Sequence, residues 1–293
     1  MKKTTCIIDT DIGQDLDDMI TIRYALMQPD LDVIGLICTY GDVPTRMAIL
    51  TDLLDELGLD VPIYRGVSLP VVDNPEAHKD LFFADGSVRT DFEYHGLGVN
   101  LYLEAAEEYP DLVVFVIGPL STLASAYQIA PEVMSQIELW FQGGVFTKQR
   151  GSFNINCDSS AANMVISSDI NTTLVGWDVT QFNVLNDEQE DDLKSSEFGV
   201  RYLNKYIDMW QTTAKTTSIT LHDPSVVWAY LNQSSCEFSE YQEVRVLTQG
   251  IEGLTYVPYV PIWQEKINAG SKSTRWITHY DSQEVISDVL KEM

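Results

Sequence analysis

The sequence predicts an α/β protein: a single open, mostly parallel sheet flanked by helices, Rossmann-like, with a helical cap near the active site. Three observations carry this. Short β-branched runs alternate with helix-period patterns along most of the chain, which is the rhythm of βαβ units. No repeat, low-complexity tract or Pro/Ser-rich linker interrupts the 293 residues, so residues 1–293 read as one domain. Hydrophobic residues form 45% of the chain, enough to fill a large core.

The elements follow in order. "TCIID" is the first strand and "DDMITIRYALM" the helix after it; "DVIGLICTY" and "RMAILTDLLDELG" repeat the pair. "LVVFVIG" precedes "LSTLASAYQIA", "IELWFQGG" precedes "DSSAANMVISS", and "TTLVGWDVT" supplies a further strand, with Gly and Pro at many of the joints. Residues 186–223 are helical and polar, which predicts an appended cap. Residues 244–259 read as strands, and "SQEVISDVLKEM" closes the chain as an amphipathic helix.

Composition narrows the partners. With 44 acidic against 18 basic residues the formal net charge is -26, which argues against nucleic acid, an anionic membrane surface or a polyphosphate and is compatible with a neutral small molecule. Cys6, Cys38, Cys157 and Cys236 are widely spaced without a C-x-x-C pair, as expected of reduced core residues. Lys2 and Lys3 imitate the start of an export signal, but Asp9 ends the apolar stretch after a few residues. No apolar run approaches the length of a membrane helix, so the chain reads as soluble and cytoplasmic.

One segment demands explanation. "DTDIGQDLDD" holds Asp9, Asp11, Asp15, Asp17 and Asp18 without a lysine or arginine. Asp11 follows the first strand, at the end where ligands gather in open α/β sheets. Asp17 and Asp18 open the next helix, whose N-terminal dipole offsets part of their charge. An N-cap role explains one of that pair, but not five carboxylates together. Oxygen-only donors suit Ca²⁺ or Mg²⁺ rather than zinc. The best distant contributor is "TLHDPSVVWAYL", although read alone it is a helix start with Asp223 at the N-cap and Pro224 at the first turn.

"IIDTDIGQDLDDMITI" resembles the amino-terminal signature of the inosine-uridine-preferring nucleoside hydrolases, in the variant with two extra residues between Gly13 and the paired aspartates. "YRG", "YHGLG", "GPLSTLASA", "QGGVF", "SFNINCDSSAA", "WDVT" and "HDPSVV" follow in that family's order, so the resemblance covers nearly the whole chain. It implies the nucleoside hydrolase fold and Ca²⁺-dependent cleavage of the N-glycosidic bond of ribonucleosides, releasing base and ribose. It implies that Asp11 binds Ca²⁺ and helps take a proton from the attacking water, that Asp18 and Asp223 chelate the metal, and that the main-chain carbonyl of Ser121 adds a neutral ligand. Asp17 and Asn154 would hold the ribose hydroxyls, His222 would serve the leaving base, and His95 would border the base pocket. A homodimer or homotetramer is implied as well.

Asp42 falls where the family usually has Asn at the sugar, and Ser152 where it typically has Glu. The expected metal set is therefore complete while the sugar contacts are fewer. Asp9 is left to hold the partners of the ligands, and Asp15, within the insertion, to face solvent. Phe82, Phe83, Trp210 and Trp228 are available for stacking on a base. Two other readings compete: a relative that binds a riboside without turnover, and a phosphatase of the haloacid dehalogenase type built on "DTD". The latter expects Thr or Val soon after its second Asp and a later catalytic Lys, whereas Ile12 and Gly13 stand here and lysines are few.

Overall fold

The computed structural model describes residues 2–71, 92–214, 218–248, 253–257 and 272–293. β1 (Thr4–Thr10), β2 (Leu31–Cys38), β3 (Ile63–Arg65) and β4 (Gly96–Leu97) build one half of a nine-stranded sheet. β5 (Val113–Val116), β6 (Glu138–Gln142), β7 (Asn171–Val175), β11 (Thr274–His279) and β8 (Glu237–Phe238) build the other. The order is β4-β3-β2-β1-β5-β6-β7-β11-β8. Every pairing is parallel except β8 on β11. The expected open, mostly parallel sheet is therefore present.

Alternation along the central strands fills two cores. Cys6 and Ile8 of β1 and Val113 and Phe115 of β5 join the cluster with α1 (Asp17–Met27) and α2 (Val43–Leu57). Ile7, Val114 and Val116 face the opposite way, towards α3 (Gly98–Glu108), α4 (Ser121–Ile129) and α7 (Ser159–Ile166). A period of two places successive side chains on opposite faces, so both faces of these strands are apolar and covered.

Residues 186–223 differ from a polar appendage. Asn186 caps α9 (Asp187–Ser195) in a capping box with Gln189, and a π-helical turn over Gly199–Leu203 leads into α10 (Asn204–Ala214). Acidic residues dominate α9, but Tyr202, Leu203, Tyr206, Ile207 and Trp210 recur at helical spacing and are buried in the α1–α2 core. Tyr202 also donates its hydroxyl to the Ile49 carbonyl at 3.2 Å. The segment is part of the molecule's body, with one end reaching the ligand cavity. Residues 244–259 contribute a separate antiparallel ribbon of β9 (Arg245–Val246) and β10 (Thr255–Tyr256). α11 (Pro224–Leu231) and the closing α12 (Ser282–Leu290) pack against the β1 half of the core. All four cysteines are free, and three are buried. Among the described residues no helix is long and apolar enough to cross a membrane.

The chain leaves β1 towards β2 and later returns to pair β5 on its other edge. That reversal opens a crevice beyond the carboxyl ends of β1 and β5, where open α/β sheets bind ligands. Gly118, just after β5, is needed there for space, since a Cβ would lie 2.8 Å from the Asp11 nitrogen and 3.0 Å from Asp11 Oδ1.

Candidate active site

A cavity of about 400 Å³ lies in this crevice, and its walls include Asp11, Asp15, Asp17, Asp18, Asn154, His222 and Asp223. Asp11, Asp17, Asp18 and Asp223 are all buried. Oxygens of Asp17, Asp18 and Asp223 lie within 4.8 Å of one another. Two segments distant in sequence thus bring three carboxylates within reach of one cation, and Asp11 faces the same space.

The local structure explains how they are held. Leu16, rather than either aspartate, occupies the N-cap of α1. Asp17 turns its Oδ2 to the backbone N–H groups of His222 and Asp223, each at 3.1 Å, which ties the first loop to the start of α11. Thr10 donates its hydroxyl to Asp18 Oδ1 at 2.5 Å. Asp223 does stand at the N-cap of α11 with Pro224 after it, but its side chain makes no capping hydrogen bond. Its carboxylate is free for the cavity. Beneath them, Arg46 is buried and donates Nη1 to the carbonyls of Asp11 and Ile12, the latter at 3.0 Å, and Nε to the Tyr40 carbonyl at 2.6 Å. Tyr40 takes the left-handed conformation that aims this carbonyl, with φ of 68°.

The electrostatics are those of crowded, buried carboxylates. Burial first, and neighbouring carboxylates next, push Asp18 and Asp223 well above the usual carboxylate range. Burial also raises Asp11, against the opposing pull of Arg46. Asp17 rises to about 6, chiefly by burial, with the N–H groups of Asp223 and His222 restraining it. Asp15 has an exposed side chain because it faces the open cavity, yet close protein walls and Asp17 push it up to about 7. It borders the ligand cavity and is exposed to solvent. Asp9 lies one layer deeper, fully buried, accepting the Tyr102 hydroxyl at 2.8 Å.

His222 and Asn154 complete the walls. His222 Nδ1 lies 2.8 Å from the Thr180 hydroxyl; burial lowers the imidazole's pKa, the charge of Asp15 opposes this, and that of Arg150 adds to it. Asn154 commits its amide nitrogen to the carbonyls of Ile117 and Gln142, at 2.7 and 3.2 Å, and to Gln142 Oε1 at 3.0 Å, leaving Oδ1 as the atom to offer a ligand.

Three expected residues lie elsewhere. Asp42 caps α2, accepting the Thr45 N–H at 3.2 Å and hydroxyl at 2.7 Å, and does not line the cavity. His95 is exposed at the sheet edge, its ring 6.0 Å from that of Tyr64. Ser121 is buried in α4, its hydroxyl on Asp158 at 2.7 Å and its carbonyl taken by Ser125 at 2.9 Å. The wall on that side is formed by Ile117. Of the aromatics, Trp210 lines the cavity, whereas Trp228 is core and donates to Asp288 at 3.1 Å; Phe82 and Phe83 lie outside the described residues. Sequence reasoning missed Arg46, Ile117, Gln142, Arg150 and Trp177. Ile117 and Gln142 carried a usable signal, since both end strands that point at the crevice, but Arg46 and Arg150 carried none.

The profile of the family described as inosine-uridine preferring nucleoside hydrolase matches residues 6–287. The chain belongs to this family. Among its relatives, a probable uridine nucleosidase 2 from Arabidopsis thaliana is 30% identical over 85% of this chain and 84% of its own length. The non-specific ribonucleoside hydrolase RihC of Escherichia coli is 28% identical over 74% of this chain and 75% of its own. In fold, this nucleoside hydrolase superposes on a plant nucleoside hydrolase with a TM-score of 0.83 at 24% identity, covering 99% of this chain and 98% of that one. A purine-preferring ribonucleoside hydrolase from Gardnerella vaginalis gives the same TM-score and coverage at 21% identity. The protein is accordingly an enzyme of the nucleoside hydrolase class, acting on small nucleoside substrates by hydrolysis of the N-glycosidic bond.

Proposed function

We propose that this nucleoside hydrolase is Ca²⁺-dependent and cleaves ribonucleosides to free base and ribose. The observation that carries the reading is the buried meeting of Asp17, Asp18 and Asp223 beneath a cavity that Asp11 and His222 also line. The donor set fits the ion: it is all oxygen, it is buried, and its mutual repulsion leaves it short of positive charge. Hard cations with flexible coordination suit such ligands. Asp11, Asp18 and Asp223 would hold it, with the Ile117 carbonyl as the neutral donor on the β5 side, because Ile117 lines the cavity where Ser121 does not and its carbonyl keeps a second lone pair beyond the bond from Asn154. When bound, Ca²⁺ supplies positive charge that lowers the pKa of water and offsets the carboxylates.

The chain's own groups do the rest. Asp11 accepts the proton of the attacking water. Asp17 and Asn154 Oδ1 accept hydrogen bonds from the ribose hydroxyls and orient the sugar, a contribution that positioning makes large. As the bond to the base breaks, positive charge grows on the ribose and negative charge on the base. The surrounding carboxylates stabilise the first, and a proton held on His222 relieves the second. Trp210 offers a flat apolar wall to the base. The relatives' printed preferences range from uridine to purines and to non-specific hydrolysis, so base choice belongs to the walls rather than to the carboxylate floor.

The reading treats residues 1–293 as one domain acting in the cytoplasm as a homodimer or homotetramer, and the four free cysteines suit a reducing compartment. A panel of inosine, adenosine, uridine and cytidine, assayed for reducing sugar after chelation and again with Ca²⁺ restored, tests it. Calcium-restored release is expected; release indifferent to chelation would remove the metal, and no release from any nucleoside would leave only a binding role.

A further inference from the structure

The floor of the cavity is acidic, but Arg150 in its wall is basic, and the reaction described above makes no use of it. Among the described residues lining the cavity, Arg150 is the one cationic side chain apart from a titrating histidine. Its guanidinium carbon lies 4.5 Å from the centre of the Trp177 ring, and Lys148 Nζ lies 4.3 Å from the same centre. The turn that carries both is pinned. Asp178 accepts the N–H of Phe146 at 2.6 Å, the N–H of Thr147 at 3.2 Å and the Thr147 hydroxyl, while Phe146 stacks on Trp276 with centroids 4.0 Å apart. No carboxylate among the described residues lies within ion-pair distance of Lys148 or Arg150.

A chain with 18 basic residues against 44 acidic ones has carboxylates to spare for pairing. Arg150 in the cavity wall and Lys148 on the same indole, neither with such a partner among the described residues, are placed for an anion that arrives from solution. We infer that the Lys148–Arg150–Trp177 rim reads an anionic substituent, phosphate or carboxylate, on the riboside, so that charged ribosides are preferred to their neutral parents. The inference rests on the N-ribohydrolase reading of the same cavity. Its chemistry is direct. A guanidinium fork matches the planar pair of oxygens of a phosphate or carboxylate, and stacking on Trp177 restricts its orientation beforehand. Lys148 adds a second charge on the same indole, and Ser152, in the same lining as Arg150, is neutral.

The test uses the full, calcium-loaded protein. kcat/KM is measured for uridine, uridine 5′-monophosphate and orotidine, and ribose is compared with ribose 5-phosphate by calorimetric titration. At least one charged riboside is expected to exceed uridine by about tenfold, the size of one charge-assisted contact. Arg150→Gln should remove most of that advantage, Lys148→Gln part of it, and about 0.5 M sodium chloride should shrink it. Preference for the monophosphate with tighter ribose 5-phosphate binding assigns the rim to a phosphate on the sugar; preference for orotidine assigns it to a carboxylate on the base. Uridine equal to or better than both, with ribose 5-phosphate no tighter than ribose, overturns the inference and leaves the hydrolase reading intact. Cleavage of no riboside at all overturns the hydrolase reading instead, and the ribose 5-phosphate titration then decides the rim by itself.

Discussion

In the proposed reaction Asp18 serves the metal and His222 the leaving group. Asp18 sits between Thr10 and the cluster with Asp17 and Asp223, so Asp18→Asn should sharply weaken calcium binding and abolish turnover. The thermal midpoint should also lose its response to calcium, because a ligand that binds only the folded state stabilises it by mass action; unchanged binding in a titration would refute the assignment. His222 is expected to matter only where the departing group needs a proton. His222→Ala should depress inosine turnover by about 10² to 10⁴-fold, while p-nitrophenyl riboside, whose phenolate leaves as an anion, should lose far less. Equal losses on both would remove His222 from the chemistry. The central carboxylates were legible in the sequence because like charges so close in the chain require an outside cation. Asn154 and His222 were legible only through their place in collinear motifs. Asp42 was misplaced because a capping aspartate and a ligand aspartate are the same letter. Ser121 was misplaced because every residue owns a carbonyl, and only the strand ends tell which one faces the crevice.

At the scale of elements, the turn between β2 and α2 shows the same ambiguity resolved by geometry. Asp42 holds two donors of Thr45 and so fixes the start of α2, the helix that delivers Arg46 to the loop after β1. Asp42→Ala should cost about 1 kcal/mol of stability, the usual value of an N-cap, and Asp42→Asn much less, since Asn caps as well. Neither should change KM for a nucleoside. A large KM change at constant thermal midpoint would return Asp42 to the sugar. The βαβ alternation was readable because strand and helix periods differ, and the cap segment was half-readable for the same reason. Its acidic first helix masks a second helix whose tyrosines and Trp210 repeat at core spacing. Arg150 lies in a loop without any period, where only the folded turn on Asp178 reveals what it faces.

For the whole molecule, the crowded carboxylates link stability to pH. Asp17 and Asp15 rise from 3.8 to about 6 and about 7 in the folded protein. Between those values the metal-free folded state binds more protons than the unfolded one, so its stability falls as pH rises through the window. The proposed calcium ion needs the deprotonated oxygens, so its binding should strengthen over the same range. Scanning calorimetry should therefore show the chelated protein losing thermal midpoint from about pH 5 to about pH 7.5 while the gap to the calcium-loaded protein widens; a constant gap would refute the linkage. Arg46 bears on what chelation leaves behind. It grips backbone carbonyls of Asp11, Ile12 and Tyr40 and none of the carboxylates, so its hold does not depend on what those carboxylates bind. The crevice is therefore expected to act as a mould that keeps its form without the ion and can be refilled without refolding. A luminescent lanthanide should then take calcium's place, with Trp177 and Trp210 in the walls as antennae for its emission.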